Sequence, residues 1–243
     1  MSVRRLFSTL ALFLFCLTAC AAARAQADGR ERAAAEIESL REQIKAREAV
    51  LLAPSDEDRK TNAEFLKSPD AGLARLLPRE KWDGKLSLRG GGSYYSFTLR
   101  SNEYGRGTDI GLEQGQFRVG FAGADFGFMT DLGDVPLEAV SNETEGVRFM
   151  AGFEAPSMEA DARVAGRQFY PARREEGWSY VRSLRAAAGR TYALRSIVYG
   201  ESDVLVAFRV LRKDEDGSVV LLWKLLQKYQ RPALQQNVAS SEQ

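Results

Sequence analysis

The stretch VLVAFRVLRKDEDGSVVLLWKLL, residues 204–226, decides the fold of this protein. Two apolar runs, 204–211 and 219–226, flank the polar segment 214–217, which ends in glycine. Runs of this length that are rich in branched and aromatic residues predict strands, and the short connection predicts a hairpin. Because both faces of each run are apolar, we expect two central strands that are covered on both sides.

Upstream of the hairpin, apolar and polar residues alternate in several short segments. Such alternation is typical of strands that have one face in a core. The segments lie at 93–100, 117–121, 126–128, 147–153, 178–184 and 192–199. About eight to ten short strands with glycine-rich turns predict a mainly β domain over residues 83–231, an antiparallel β-sandwich or a barrel-like domain. We expect no helix after Leu77 and a flexible polar tail over 232–243.

The segment before the β-domain has a helical pattern. Residues 28–52 are rich in Ala, Glu and Arg. A stripe with helical spacing is formed by Ile37, Leu40, Ile44 and Leu51. This stripe fits a short coiled coil that makes a homo-oligomer, an amphipathic helix packed on its own domain, or a spacer. The three alternatives stay open.

A second helix is expected from Ser55, since Ser55 followed by Asp58 is an N-capping pattern. We expect this helix to reach about Leu66 and a third, short helical turn to run through Leu73 and Leu77. Residues 28–82 are therefore predicted to form a helical stalk and lead-in. The apolar anchors that we expect to be buried are Phe65, Leu66, Leu73, Leu76 and Leu77.

The amino terminus has the features of a bacterial signal peptide over residues 1–27. Arg4 and Arg5 precede an apolar run over 6–17, which is shorter than the roughly 20 residues that a membrane span needs. Residues 17–20, Leu-Thr-Ala-Cys, resemble a lipobox in which Cys20 is lipidated, whereas the alanines of 23–27 offer an ordinary cleavage site. Either way of processing the signal peptide predicts an exported protein, which is periplasmic or an outer-membrane lipoprotein anchored through Cys20.

Composition excludes several classes of chemistry. The chain has no histidine, and its two cysteines, Cys16 and Cys20, both lie in the leader. Histidine-dependent triads, thiol nucleophiles and Cys- or His-ligated metals are therefore excluded from the mature chain. The balance of 34 basic against 33 acidic residues does not suggest a nucleic-acid partner. We expect no catalytic residue, no bound metal and no cofactor.

Two charged segments are the candidate sites. Residues 119–147 carry six acids and no basic residue. Within them Asp131, Asp134 and Glu138 form a possible acidic site, suited to Ca²⁺ or to acid–base chemistry, and a solvated loop is the simpler interpretation. Residues 163–195 carry eight arginines. Arginine binds carboxylate and phosphate with two parallel hydrogen bonds, so this segment predicts an anion-binding face, unless the two segments neutralise each other.

The candidate binding residues are Arg173, Arg174 and Arg182 from the arginine segment, together with Tyr94. Tyr94 follows the three glycines 90–92 and is expected on the strand face opposite Tyr95. A tyrosine with an accessible ring suits sugar or peptide recognition. These features predict a non-catalytic cell-envelope protein that binds a protein, a glycan or an anionic partner through its β-domain. A carboxylate-based glycan hydrolase and an oligomerising spacer, joined through 28–52, are the alternatives.

Overall fold

The predicted hairpin forms the centre of the largest sheet in the computed structural model, which describes residues 29–102 and 104–235. Its strands pair in antiparallel register, with Phe208 opposite Trp223 and Val206 opposite Leu225. The described residues form three sheets, all antiparallel. The predicted mainly β, antiparallel class is therefore confirmed.

The chain divides into two compact units, Met1–Ala49 and Val50–Gln243. In the first unit the described residues belong to helix α1, residues 29–52, whose last turn extends into the second unit. The predicted helix is confirmed, and the side chains of Ile37, Leu40 and Ile44 keep about half of their surface exposed. No helix in the described part of the chain is long and apolar enough to cross a membrane. The predicted signal peptide and Cys20 lie outside the described residues.

The second unit contains the remaining elements. The helices are α2 (Asp56–Thr61), α3 (Arg79–Trp82), α4 (Arg148–Ala151) and α5 (Glu159–Arg167), with 3-10 turns at Phe65–Lys67 and Leu137–Ala139. The strands are β1 (Ala71–Leu76), β2 (Tyr94–Tyr95), β3 (Ile110–Glu113), β4 (Gln116–Arg118), β5 (Phe126–Gly133), β6 (Arg173–Glu175), β7 (Trp178–Tyr180), β8 (Ser183–Arg185), β9 (Thr191–Val198), β10 (Ser202–Lys213) and β11 (Val219–Lys228).

The five-stranded sheet has the order β1-β11-β10-β9-β5, and it is covered on both faces. On one face it shares a buried cluster with the four-stranded sheet β2-β3-β4-β8. On the other face its side chains pack with α4, α5 and the two-stranded sheet β6-β7. Both sheets of the shared core are open, and among the described residues neither closes into a barrel. Coverage of both faces is what the apolar hairpin strands predict.

The lead-in is only partly helical. The Ser55 hydroxyl accepts the Asp58 N–H at 3.1 Å and the Asp58 carboxylate accepts the Ser55 N–H at 3.0 Å, which confirms the predicted N-cap. The predicted third helical turn is wrong, because residues 71–76 form β1 at the edge of the main sheet. Arg75 on β1 forms ion pairs with two acids of the hairpin turn, Asp214 and Asp216, at 3.2 and 3.4 Å. Pairing with β11 thus outweighs the local helical spacing.

Two further predictions about the second unit are wrong. Residues 147–153 do not form a strand, because α4 occupies Arg148–Ala151, and helices α3 to α5 follow Leu77. Val147 at the N-cap of α4 and Met150 within it are both buried at a spacing of three residues, which is helical and departs from the alternation that suggested a strand. In α5 the buried residues are alanine and glycine, so no large apolar side chain marks the helix.

The carboxyl-terminal end of the described chain, residues 232–235, forms backbone hydrogen bonds with other segments of the second unit. The carbonyl of Pro232 accepts the Gly200 N–H at 2.8 Å, and the Gln235 N–H donates to the Ser157 carbonyl at 2.8 Å. Residues 236–243 of the predicted polar tail lie outside the described residues.

A buried arginine joins the main sheet to the helical layer. Arg195 on β9 is 1% exposed and donates to both carboxylate oxygens of Asp203 on β10, at 2.6 and 2.9 Å. It also donates to the carbonyls of Met150 and Phe153, at 2.9 and 3.3 Å. Its guanidinium lies 3.2 Å from the centre of the Tyr229 ring. A buried guanidinium is tolerated only when its donors are satisfied, so this network fixes the position of α4.

Trp223 is the largest side chain in the core that the two sheets share. Its ring lies 5.3 Å from Phe97 and 6.2 Å from Tyr95, between centroids. Gly72 of β1 lies directly opposite, and a Cβ at that position would come within 2.5 Å of the indole. The absence of a side chain at 72 therefore lets β1 pair with β11 while the indole stays in the core.

We expect Trp223→Ala to lower the free energy of unfolding by about 3–5 kcal/mol, because it removes a buried ring and leaves a cavity. Urea unfolding of the purified protein measures this change. Leu99→Ala is the control, since Leu99 is 63% exposed and its loss should change stability by no more than about 0.5 kcal/mol. Equal, small effects of both substitutions would contradict the assignment of Trp223 to the core.

Candidate functional site

Arg182 lies between β7 of the two-stranded sheet and β8 of the four-stranded sheet, next to β5 of the five-stranded sheet. Its neighbour Val181 exchanges two backbone hydrogen bonds with Met129 of β5, at 2.8 and 3.0 Å. The carbonyl of Arg182 itself accepts the Val119 N–H at 3.2 Å, next to β4. The backbone of Arg182 is therefore fixed by the five-stranded and the four-stranded sheets, which gives its side chain a defined origin.

The guanidinium of Arg182 is incompletely satisfied. Nη2 donates to the Gly120 carbonyl at 2.9 Å, whereas the buried Nε–H has no hydrogen-bond partner. Within residues 29–102 and 104–235, no ion pair includes Arg182. Leaving a buried donor unsatisfied costs about 1–3 kcal/mol, and more on a charged group. An external acceptor at this position would recover that free energy.

Gly120 shapes this contact. It has φ +75°, and a Cβ there would lie 3.0 Å from Nη2 of Arg182 and from the Phe126 backbone. A side chain would thus be both strained and too close to the guanidinium. Glycine at 120 lets Arg182 approach the backbone and leaves the adjoining space open.

A cavity of about 410 Å³ lies on the outer face of the four-stranded sheet, and Arg182 forms part of its wall. Arg79 and Arg118 also line it, and Glu113 lies between them, at 3.3 and 3.1 Å. Arg79 also pairs with Asp83 at 3.2 Å, so three arginines against two carboxylates leave a net positive charge at the cavity. The volume falls within the range of about 300–1,000 Å³ that is usual for small-molecule sites.

Aromatic rings form the floor and the rim of this cavity. Tyr94 is buried, with its ring 4.5 Å from that of Tyr104 and 5.2 Å from that of Phe121, between centroids. Burial raises the pKa of the Tyr94 hydroxyl, which therefore stays protonated at neutral pH. At the rim, Tyr170 is 80% exposed. The cavity thus presents both cations and aromatic surface.

Two more cavities share Gly120 and Phe121 with the first. The second has a volume of about 540 Å³ and is lined by Tyr104 and Arg89, among others. The third has a volume of about 300 Å³ and is lined by Arg167 and Arg182. We call the three together the Phe121 groove, because the half-buried ring of Phe121 lines all of them.

The structure brings two of the four predicted binding residues together and separates the other two. Tyr94 and Arg182 line the same cavity, although Tyr94 is buried rather than accessible. Arg173 lies on β6, where it binds Glu175 at 2.6 Å and Gln168 at 2.7 Å. Arg174 is exposed on the same strand and does not line the groove.

The three predicted acidic residues do not converge. Asp131 lies on β5 rather than in a loop and accepts three hydrogen bonds from Arg190, two from Nε at 3.1 Å and one from Nη2 at 2.8 Å. Asp134 pairs with Arg209 at 2.6 Å, and Glu138 is exposed. In the described residues, no cluster of three or more acids, cysteines or histidines could hold a metal ion. The Asp131–Arg190 pair instead joins the acidic segment to the arginine segment.

The sequence patterns did not identify several of the residues that line the groove. Arg118 alternates with Phe117 and Val119, so its position on the outer face could have been inferred from period two. Phe121 and Tyr104 lie in connecting segments, where no periodicity indicates which way a side chain points.

Comparison with protein-family models, curated proteins and solved structures found no match to this chain.

A buried carboxyl lies beside β3, inside the second unit. Asp109 is fully buried; one of its oxygens accepts the Phe97 N–H at 2.8 Å, and the other has no hydrogen-bond partner among the described residues. Burial raises the pKa of Asp109 to about 6, from 3.8 in the unfolded chain. Between these two values the folded protein binds more protons than the unfolded chain, so stability falls as the pH rises through this window.

Asp109→Asn should remove this loss of stability. We expect the melting temperature of the wild type to fall, relative to that of the variant, between about pH 4 and about pH 6, and the variant to be the more stable protein above this range. Because the two proteins share all other titrating groups, the difference between their melting temperatures reports on Asp109 alone. An identical pH dependence of the two melting temperatures would show that Asp109 does not titrate in this range.

Proposed function

We propose that the protein is an exported binding protein of the bacterial cell envelope, and that its β-domain binds an anionic ligand in the Phe121 groove. The observation that carries the proposal is the half-buried guanidinium of Arg182, whose Nε–H has no partner and which contacts no carboxylate among the described residues. A carboxylate or phosphate oxygen is the acceptor that completes such a group. The leader, with its possible lipidation at Cys20, supports the location.

Contrast with other arginines supports this choice. Arg79, Arg190 and Arg209 each contact a carboxylate at 3.3 Å or less. Arg195 is enclosed in the core with Asp203. Acids of the same chain thus satisfy these cations, which explains why a nearly neutral protein can still offer one arginine to a ligand. The scaffold, as we propose, is a β-sandwich with an added helical layer.

A carboxylate-based hydrolase is the second candidate function, and a different pair of acids supports it. Asp125 and Glu201 both line the second cavity of the groove. Burial, together with the charge of Glu201, raises the pKa of Asp125, as a general acid requires. However, Asp125 accepts the Tyr199 N–H at 2.9 Å and Glu201 pairs with Arg106 at 3.4 Å. Because both carboxylates have partners within the fold, binding is the better-supported function.

Dextran sulfate and neutral dextran form a matched pair of probes for the proposed function. We expect the exported protein to bind dextran sulfate and not neutral dextran. Arg182→Gln should weaken binding about ten- to hundredfold, as expected for the loss of a charge-assisted hydrogen bond. Arg182→Lys, which keeps the charge without the planar fork, should recover only part of the affinity. Isothermal titration calorimetry measures both affinities.

Arg59→Gln is the control, because Arg59 is exposed on α2 and does not line the groove. It changes the net charge by the same amount as Arg182→Gln and should leave the affinity unchanged. Equal weakening by both substitutions would indicate non-specific attraction and would refute the site. If the protein releases new reducing ends from the bound polymer, and Asp125→Asn abolishes this release, the protein is a hydrolase and the proposal of a non-catalytic binding protein is wrong.

A further inference from the structure

The Phe121 groove is longer than a site for one small anion needs to be. Its three cavities have volumes of about 410, 540 and 300 Å³, and all of them are lined by Gly120 and Phe121. The three cavities therefore adjoin one another at these two residues. This arrangement suits an extended chain more than a single compact ion.

Arginines line all three cavities of the groove, and in the second cavity they stand beside the carboxylates of Asp125 and Glu201. Exposed arginines line each of its parts, with Arg118 in the first cavity, Arg89 in the second and Arg167 in the third. Arg182 lines both the first and the third. Repeated cations along a path complement a ligand that carries an anionic group on successive units.

Aromatic surface lies between these cations. The rings of Tyr104 and Phe121 are both half-buried and stand 6.3 Å apart, between centroids. The Arg89 guanidinium lies 4.7 Å from the centre of the Tyr104 ring. An aromatic face offers apolar area to the C–H face of a pyranose ring, while the neighbouring guanidinium binds a carboxylate. Uronic acids combine these two features in every residue.

We propose that the ligand is an acidic polysaccharide, which extends from the first cavity past Phe121 into the second and places sugar carboxylates on Arg182 and on the arginines beyond it. This inference rests on the proposed function and adds the class of ligand and its length. An acidic peptide has the charge but lacks a flat saturated ring for each anionic group.

Galacturonate and its oligomers test the proposal on the full exported protein. We expect the affinity per molecule to rise by about tenfold or more from digalacturonate to hexagalacturonate, because the longer chain reaches the second cavity. Phe121→Leu should remove most of this gain, because Phe121 lines all three cavities. Melting temperatures confirm that the variant is folded, and Arg89→Gln, at an exposed position, should also reduce the gain.

The outcomes separate the two proposals. If dextran sulfate binds but the galacturonates do not, or if the monomer binds as tightly as the hexamer, the polysaccharide inference is refuted while the anion site stands. If poly-glutamate binds as tightly as hexagalacturonate and depends equally on Phe121, the ligand is a peptide and the inference is also refuted. If neither dextran sulfate nor any galacturonate binds, both proposals fail.

Discussion

The main sheet must be covered on both of its faces, and the rest of the second unit follows from this requirement. Strands β10 and β11 are apolar on both sides, so each uncovered face would leave large side chains in water. The four-stranded sheet covers the face that carries Trp223, and the helical layer covers the face that carries Leu222. The buried pair of Arg195 and Asp203 then fixes the helical layer, since Arg195 also holds the carbonyls that end α4.

The same requirement positions the candidate site. The inner face of the four-stranded sheet is used by the shared core, for example by Leu112 and Phe117. Side chains that alternate with these residues, such as Arg118, must point to the outer face. Because Arg182 lies between β7 and β8, next to β5, its side chain is held at the edge of this outer face. A groove with cations is thus a consequence of how the core is covered.

The sequence could predict the elements whose patterns are long and consistent. The hairpin of β10 and β11, helix α1 and the Ser55 N-cap all follow from local patterns. Strand β1 could not be predicted, because its six residues fit a helical turn and its strand state depends on pairing with β11. Helix α5 could not be predicted either, since its buried face consists of alanine and glycine. In each case a distant contact decides the local structure.

The candidate site was predictable only in part for the same reason. The arginine-rich segment 163–195, in a sequence with nearly equal numbers of basic and acidic residues, indicated Arg182. The alternation of side chains after glycines 90–92 indicated Tyr94. Arg173, nine residues before Arg182, is neutralised by Glu175, which lies only two residues away, but nothing local shows that Arg182 lacks such a partner. Likewise, Asp131 is an acid in a segment without cations, yet the fold places Arg190 beside it. Whether a charge is available to a ligand depends on partners that are far away in the chain.

Hydrogen–deuterium exchange with and without bound dextran sulfate tests most directly whether the Phe121 groove is the binding site. The ligand should slow exchange in the segments that line the groove, residues 110–121 and 180–185, and leave the acidic segment 131–145 unchanged. Slower exchange confined to β6, where Arg173 and Arg174 lie, or no change at the groove in a protein that binds the polymer, would contradict the account.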